Sequence, residues 1–109
     1  MLISRSDSIA ANARSGNLLA GEPFEFLPSR CLVSLRSSAA AVGLKMDFGV
    51  GGEMQIINGD PPQTNRFPIA PDDTMVSFGG MQGERLSIFL TNTTGAAIVI
   101  KNVIEIVPQ

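Results

Sequence analysis

The sequence lacks most of the side chains that carry out protein chemistry. Its 109 residues contain no His, no Trp, no Tyr and a single Cys. Without histidine neither a Ser–His–Asp nor a Cys–His nucleophile can form, and zinc loses its usual ligands. The lone Cys31 lies among apolar neighbours in a strand pattern, so we expect a buried thiol. The composition therefore predicts a non-enzymatic protein with no metal, no cofactor and no small-molecule substrate.

Charge is scarce as well. Charged residues make up 17% of the chain, against a usual quarter, and the net charge is −2. The eight basic residues are scattered, which disfavours nucleic-acid binding because phosphates need clustered cations. No stretch approaches the roughly 18 apolar residues of a membrane-spanning helix. A surface with so little charge is often covered by a partner, so we expect a homo-oligomer or a larger assembly.

Residues 1–21 differ from the rest because they are rich in Ser, Ala and Asn and show no alternation. They lack the apolar core of a secretory signal, which predicts synthesis in a reducing cytoplasm. We expect an N-terminal arm with a helical turn or two over 8–14, followed by a connector exposing Leu18 and Leu19. Two interpretations remain open: a floppy terminus, or an arm that orders on a neighbouring subunit.

Short alternating strands dominate residues 22–109 and predict one antiparallel β-sandwich domain. The absence of an immunoglobulin-type disulfide and core Trp favours a jelly-roll-like order of seven or eight strands, although an immunoglobulin-like order remains open. A shift of alternation near Asn102 predicts a β-bulge. The predicted strands cover 23–27, 30–37, 42–48, 53–57, 74–78, 84–90 and 96–107. The predicted core comprises Phe24, Phe26, Val33, Leu35, Leu44, Phe48, Ile56, Leu86, Ile88, Ile98 and Ile100.

Residues 60–73 contain four prolines and interrupt the strands. Proline cannot donate to a β-ladder, so this stretch predicts a long ordered loop. It either packs on its own domain or forms a protruding contact through Arg66, Phe67 and Ile69, since prolines lower the entropy cost of docking.

Three segments carry a resemblance in general character to small bacteriophage virion proteins. They are Asn17-Leu18-Leu19-Ala20-Gly21-Glu22-Pro23-Phe24, Ile57-Asn58-Gly59-Asp60-Pro61-Pro62 and Val103-Ile104-Glu105-Ile106-Val107-Pro108-Gln109. The chain resembles capsid cement or decoration proteins and minor coat subunits. This resemblance implies a structural subunit, commonly oligomeric, that is assembled in the host cytoplasm and binds other virion proteins. The residues themselves, and not the resemblance, indicate the contacts: Leu18 and Leu19 of the arm, and Arg66, Phe67 and Ile69 of the loop. The alternative is a small sandwich that binds a receptor or a carbohydrate.

Overall fold

The computed structural model describes residues 2–69 and 72–109 and contains no helix in this part of the chain. Seven strands form there: β1 Leu2–Ile9, β2 Cys31–Ala39, β3 Leu44–Val50, β4 Glu53–Gly59, β5 Thr74–Gly80, β6 Leu86–Asn92 and β7 Ile98–Pro108. No helix that could cross a membrane occurs among the described residues. The predicted all-β fold is confirmed.

The strands form two antiparallel sheets that pack face to face. One sheet has the order β1-β7-β2-β5 and the other the order β4-β3-β6. Alternation positions the core: in β3, Leu44, Met46 and Phe48 are buried, while Lys45 and Asp47 lie on the opposite face. The predicted β-sandwich therefore holds its apolar core between two sheets.

Most of the predicted core is confirmed. Phe24 and Ile56 are half-buried against the core, whereas Phe26 is 57% exposed. The predicted residues that are buried are Val33, Leu35, Leu44, Phe48, Leu86, Ile88, Ile98 and Ile100. Cys31 is also buried, as predicted.

The predicted strand over 23–27 is wrong, and this explains the exposure of Phe26. The Glu22 amide donates to the Leu19 carbonyl at 3.1 Å, and the Glu25 amide donates to the Glu22 carbonyl at 3.1 Å. Such bonds across three residues curl the backbone into turns, so alternation along the sequence no longer maps onto two faces. Phe26 pairs with Arg85 in an isolated β-bridge instead of a strand.

The first strand, β1, lies where the sequence predicted an arm with a helical turn. It pairs with β7 from Leu2 opposite Glu105 to Ile9 opposite Ile98, so the helical turn is wrong. The inward positions of β1 are apolar at its two ends, Ile3 and Ile9, and charged at its centre, Arg5 and Asp7. The charged pair interrupts the apolar alternation, which is why the sequence pattern did not reveal this strand.

Residues 12–27, called the cover segment, run along the free edge of β6. The Ser15 amide donates to the Leu90 carbonyl at 2.8 Å, and the Leu18 amide donates to the Ile88 carbonyl at 3.0 Å. The cover segment is too irregular to be a strand, yet it occupies the position of one. Residues 2–21 therefore belong to the sandwich, as β1 and as most of the β6 cover, rather than to an arm beside it.

With the cover segment counted as the second of eight strands, the strand order is that of a jelly roll. One sheet then contains the first, eighth, third and sixth strands, and the other contains the second, seventh, fourth and fifth. Successive strands alternate between the sheets except for the fourth and fifth, β3 and β4, which are neighbours in one sheet. This order corresponds to two interlocked Greek keys.

The predicted bulge near Asn102 is wrong. The register of β7 is continuous with both β1 and β2 throughout, and Asn102 occupies an inward position between Ile100 and Ile104. The Ser37 hydroxyl donates to the Asn102 Oδ1 at 2.6 Å. The apparent change of alternation has a simple cause: one inward position holds a polar residue, and the outward Val103 is also buried.

Candidate interaction surface

A buried carboxylate organises the proline-rich loop. Asp73 is 1% exposed, and its Oδ2 accepts hydrogen bonds from the Ile69 amide at 3.0 Å and from the Arg66 Nε at 3.2 Å. The Asp73 amide in turn donates to the Ile69 carbonyl at 2.9 Å. Ala70 and Pro71, within the predicted loop, lie outside the described residues. The described parts are thus clamped together by one side chain.

These contacts keep Asp73 ionised. The Ile69 amide hydrogen bond, followed by the Arg66 guanidinium, holds the pKa of Asp73 below its ordinary value of 3.8, and burial opposes this only in part. A charge-assisted hydrogen bond to a buried carboxylate is stronger than a neutral one. The clamp is therefore a defined structural element of the loop.

Strand β2 provides the second attachment. The Ser38 Oγ accepts hydrogen bonds from the Thr64 hydroxyl at 2.7 Å and from the Arg66 amide at 3.2 Å. The Ala39 amide donates to the Pro62 carbonyl at 2.7 Å. The loop therefore continues the sheet beside the last residues of β2, beyond the start of β5. For the described residues 60–69 and 72–73, the prediction of an ordered loop is confirmed.

Two apolar side chains remain exposed on this clamped backbone. Phe67 is 54% exposed and Ile69 is 47% exposed. The Lys101 Nζ lies 5.2 Å from the centre of the Phe67 ring, which supports the ring from the outer face of β7. Arg66, Phe67 and Ile69, called the loop surface, are the predicted residues that the fold brings together.

The two leucines of the cover segment face the interior instead. Leu19 has 0% exposure and belongs to the core, and Leu18 is half-buried against it, so the predicted exposure of Leu19 is wrong. The Asn17 Oδ1 accepts hydrogen bonds from the Leu19 amide at 3.0 Å and from the Ile88 amide at 3.0 Å, which turns the chain inward. Asn followed by two apolar residues is compatible with such an Asx-turn, and this was the available sequence signal.

The charged side chains that line a concave feature at the end of β1, Asp7 and Arg14, are both engaged in ion pairs. A cavity of about 200 Å³ opens between the end of β1 and the cover segment, and its lining includes Asp7 and Arg14. Arg14 binds Asp47 at 2.8 Å and lies over the Phe89 ring at 5.0 Å. The Asn58 amide, followed by Arg14, holds the pKa of Asp47 below its ordinary range. These charges cross-link strands and loops.

No cluster of three or more His, Cys, Asp or Glu residues in the described part of the chain is arranged to hold a metal ion. The loop surface is therefore the candidate site that the described side chains define most clearly. Comparisons of this chain with protein-family models, with curated proteins and with solved structures found no match.

Proposed function

We propose that the protein is a non-enzymatic structural subunit of a virus particle that binds another virion protein through the loop surface. The observation that carries this proposal is a clamped loop that presents Phe67 and Ile69 to solvent. Isolated exposed apolar residues are common on soluble proteins. Here, however, the exposed pair lies on a backbone that Asp73 and Ser38 hold in place.

Preorganisation is what makes this loop suited to binding. Association has a cost for each segment that must be ordered at the interface, and a loop held before binding avoids much of that cost. Aromatic side chains are also enriched at the centres of protein interfaces. Phe67 is both aromatic and preorganised. Its ring is exposed, and Lys101 restrains its position.

The resemblance to bacteriophage decoration and minor coat proteins supports the choice of partner. The low charge of the chain agrees with a surface that is partly covered in an assembly. We assign the loop surface to contact with a neighbouring virion protein. Leu19 takes no part in this contact, because its side chain is fully buried.

The first test asks whether the chain is present in particles. Purified virus particles whose genome encodes this chain should contain the protein, as measured by mass spectrometry. Particles stripped of the protein should rebind the recombinant protein. The double variant Phe67→Asp, Ile69→Asp should rebind at least about tenfold more weakly, because charges would replace the apolar contact.

The matched control is Met54→Asp, Ile57→Asp, which changes two exposed apolar residues of β4 in the same way. It should rebind like the parent. Absence of the protein from particles, or equal loss in both double variants, would refute the proposal. A stable monomer with a specific signal on a glycan array would favour the carbohydrate-binding alternative instead.

A further inference from the structure

The sandwich has four strand edges, and three of them are protected in ways that natural sheets use against unwanted pairing. The edge strand β1 carries the inward charges Arg5 and Asp7. The edge of β6 is occupied by the cover segment. The edge strand β4 carries Glu53, and its pairing with β3 contains two register shifts.

The edge of β5 is the least protected of the four. Its seven residues, Thr74–Gly80, include no charged residue and no proline. An irregularity near Met75 interrupts its pairing with β2, but Val76 to Gly80 pair regularly with β2 residues from Leu35 to Cys31. Strand β5 ends the sheet, and among the described residues no strand pairs with its other side. This edge therefore offers unpaired backbone donors and acceptors.

Gly79 adds a second observation on the same strand. Glycine weakens a strand relative to alanine, so its presence within β5 needs a reason. Gly79 is exposed, its φ lies outside the left-handed region, and an added Cβ would meet no atom within 4 Å. Nothing within the described chain thus requires a glycine here. Close approach of another backbone is a recognised reason for a glycine in a strand.

The chemistry of β5 suits pairing with itself. Two identical antiparallel strands meet about a two-fold axis, and each residue then faces its own copy or a close neighbour of it. A charged strand would bring like charges together in that arrangement, whereas β5 carries none. The four-stranded sheets of the two copies would merge into one continuous sheet of eight strands, and the open edge of β5 would be removed.

We infer that the β5 edge is a homodimer interface, with β5 of a second copy of this chain as its occupant. This inference goes beyond the proposed function, because the β5 edge and the loop surface are different features. Each can fail without the other: particle binding tests the loop surface, and self-association of the isolated protein tests β5.

The experiment measures the mass of the full chain by sedimentation equilibrium from about 10 μM to about 1 mM, the range of weak to moderate association. The parent should dimerise. The variant Ser77→Lys, Gly79→Lys should weaken dimerisation about tenfold or more, because a dimer would crowd four ammonium groups along the joined edges. Circular dichroism should show that the variant keeps the parental fold, since Ser77 and Gly79 are both exposed.

The matched control is Ser4→Lys, Ser6→Lys, which adds the same charge at exposed positions on β1, the other edge of the same sheet. It should dimerise like the parent. If the double variant at β5 does not fold, Gly79→Lys alone replaces it, because an added side chain there meets open space. A parent that stays monomeric at 1 mM would overturn the inference. The inference would also be overturned if the β5 variant dimerised as tightly as the parent, or if the β1 control dimerised as weakly as the β5 variant. Capture of a foreign peptide at β5 by a monomeric parent would overturn it too.

Discussion

Two irregular segments of this protein are anchored in a similar way, yet one buries its apolar side chains and the other exposes them. The cover segment and the proline-rich loop both lack regular strands, and both are fixed by polar side chains, Asn17 in the first and Asp73 in the second. The cover segment turns Leu19 into the core, whereas the loop leaves Phe67 and Ile69 in solvent. Anchoring of the backbone and burial of apolar side chains are therefore separate properties, and only their combination distinguishes a structural segment from a candidate binding loop.

The strongest challenge to this comparison is removal of the first segment. A chain that starts at Glu22 should lose its cooperative thermal transition, because it lacks β1, the buried Leu19 and most of the β6 cover. Circular dichroism at increasing temperature measures this. A chain that starts at Ile3 should keep the transition, since Leu2 is exposed. A cooperative transition in the Glu22 chain would mean that the cover segment is dispensable.

The next largest effect compares one apolar residue from each segment. Leu19→Ala should lower the free energy of unfolding by roughly 2–5 kcal/mol, because it leaves a cavity in the core. Ile69→Ala should change it by less than about 0.5 kcal/mol, because the side chain is already half in solvent. Urea unfolding of both variants measures the difference. Equal losses would contradict the distinction between the two segments.

The anchor of the cover segment should also contribute measurably. Asn17→Ala removes the oxygen that accepts the Leu19 and Ile88 amides, so it should cost roughly 1–3 kcal/mol of unfolding free energy. Gln63→Ala, at an exposed position of the loop, is the control and should stay within about 0.5 kcal/mol of the parent. A neutral Asn17 variant would show that packing alone holds the cover segment.

The contribution of Asp73, the anchor of the loop, to the free energy of unfolding should depend on pH. Because the folded-state pKa of Asp73 lies below its ordinary value of 3.8, its stabilisation is complete above that value and is lost as the pH falls through the folded-state pKa. Asp73→Asn should therefore unfold more easily than the parent at pH 7, and the difference should shrink below about pH 4. Denaturant unfolding at both pH values measures this.

Asp72→Asn makes the same charge change at the exposed neighbour and provides the control. It should leave the free energy of unfolding at pH 7 within about 0.5 kcal/mol of the parent. A difference between Asp73→Asn and the parent that stays constant from pH 7 to pH 3 would exclude the carboxylate clamp as its cause.

The sequence predicted the regular strands well and the irregular ones poorly, for a physical reason. Strands such as β3 bury every second side chain, so a period of two is visible in the residues themselves. In β1 the inward positions include an ion pair, and in the cover segment turns replace alternation, so the same signal is absent. At Asn102 the sequence predicted an irregularity that is absent, because a polar residue at an inward position produces the same change of alternation as a bulge.

The candidate site was predicted in part. Proline content identified the loop, and hydropathy identified Phe67 and Ile69 within it. The clamp was not predicted, because the contact between Asp73 and the Ile69 amide depends on a backbone conformation that composition does not specify. The β5 edge was also beyond the sequence, since β5 is an edge only because no other described strand pairs with its free side, and the sequence does not specify this strand order.

The pairing of β1 with β7 also governs when the molecule can fold during synthesis. Leu2 lies opposite Glu105, so β1 has no strand to pair with until β7, about a hundred residues later, has left the ribosome. Contacts between residues so distant along the chain slow folding, because a large loop must close before they form. While it waits, the nascent chain exposes the β7-facing edge of β1, and the ion pair of Arg5 and Asp7 at its centre disfavours pairing with other chains during that interval.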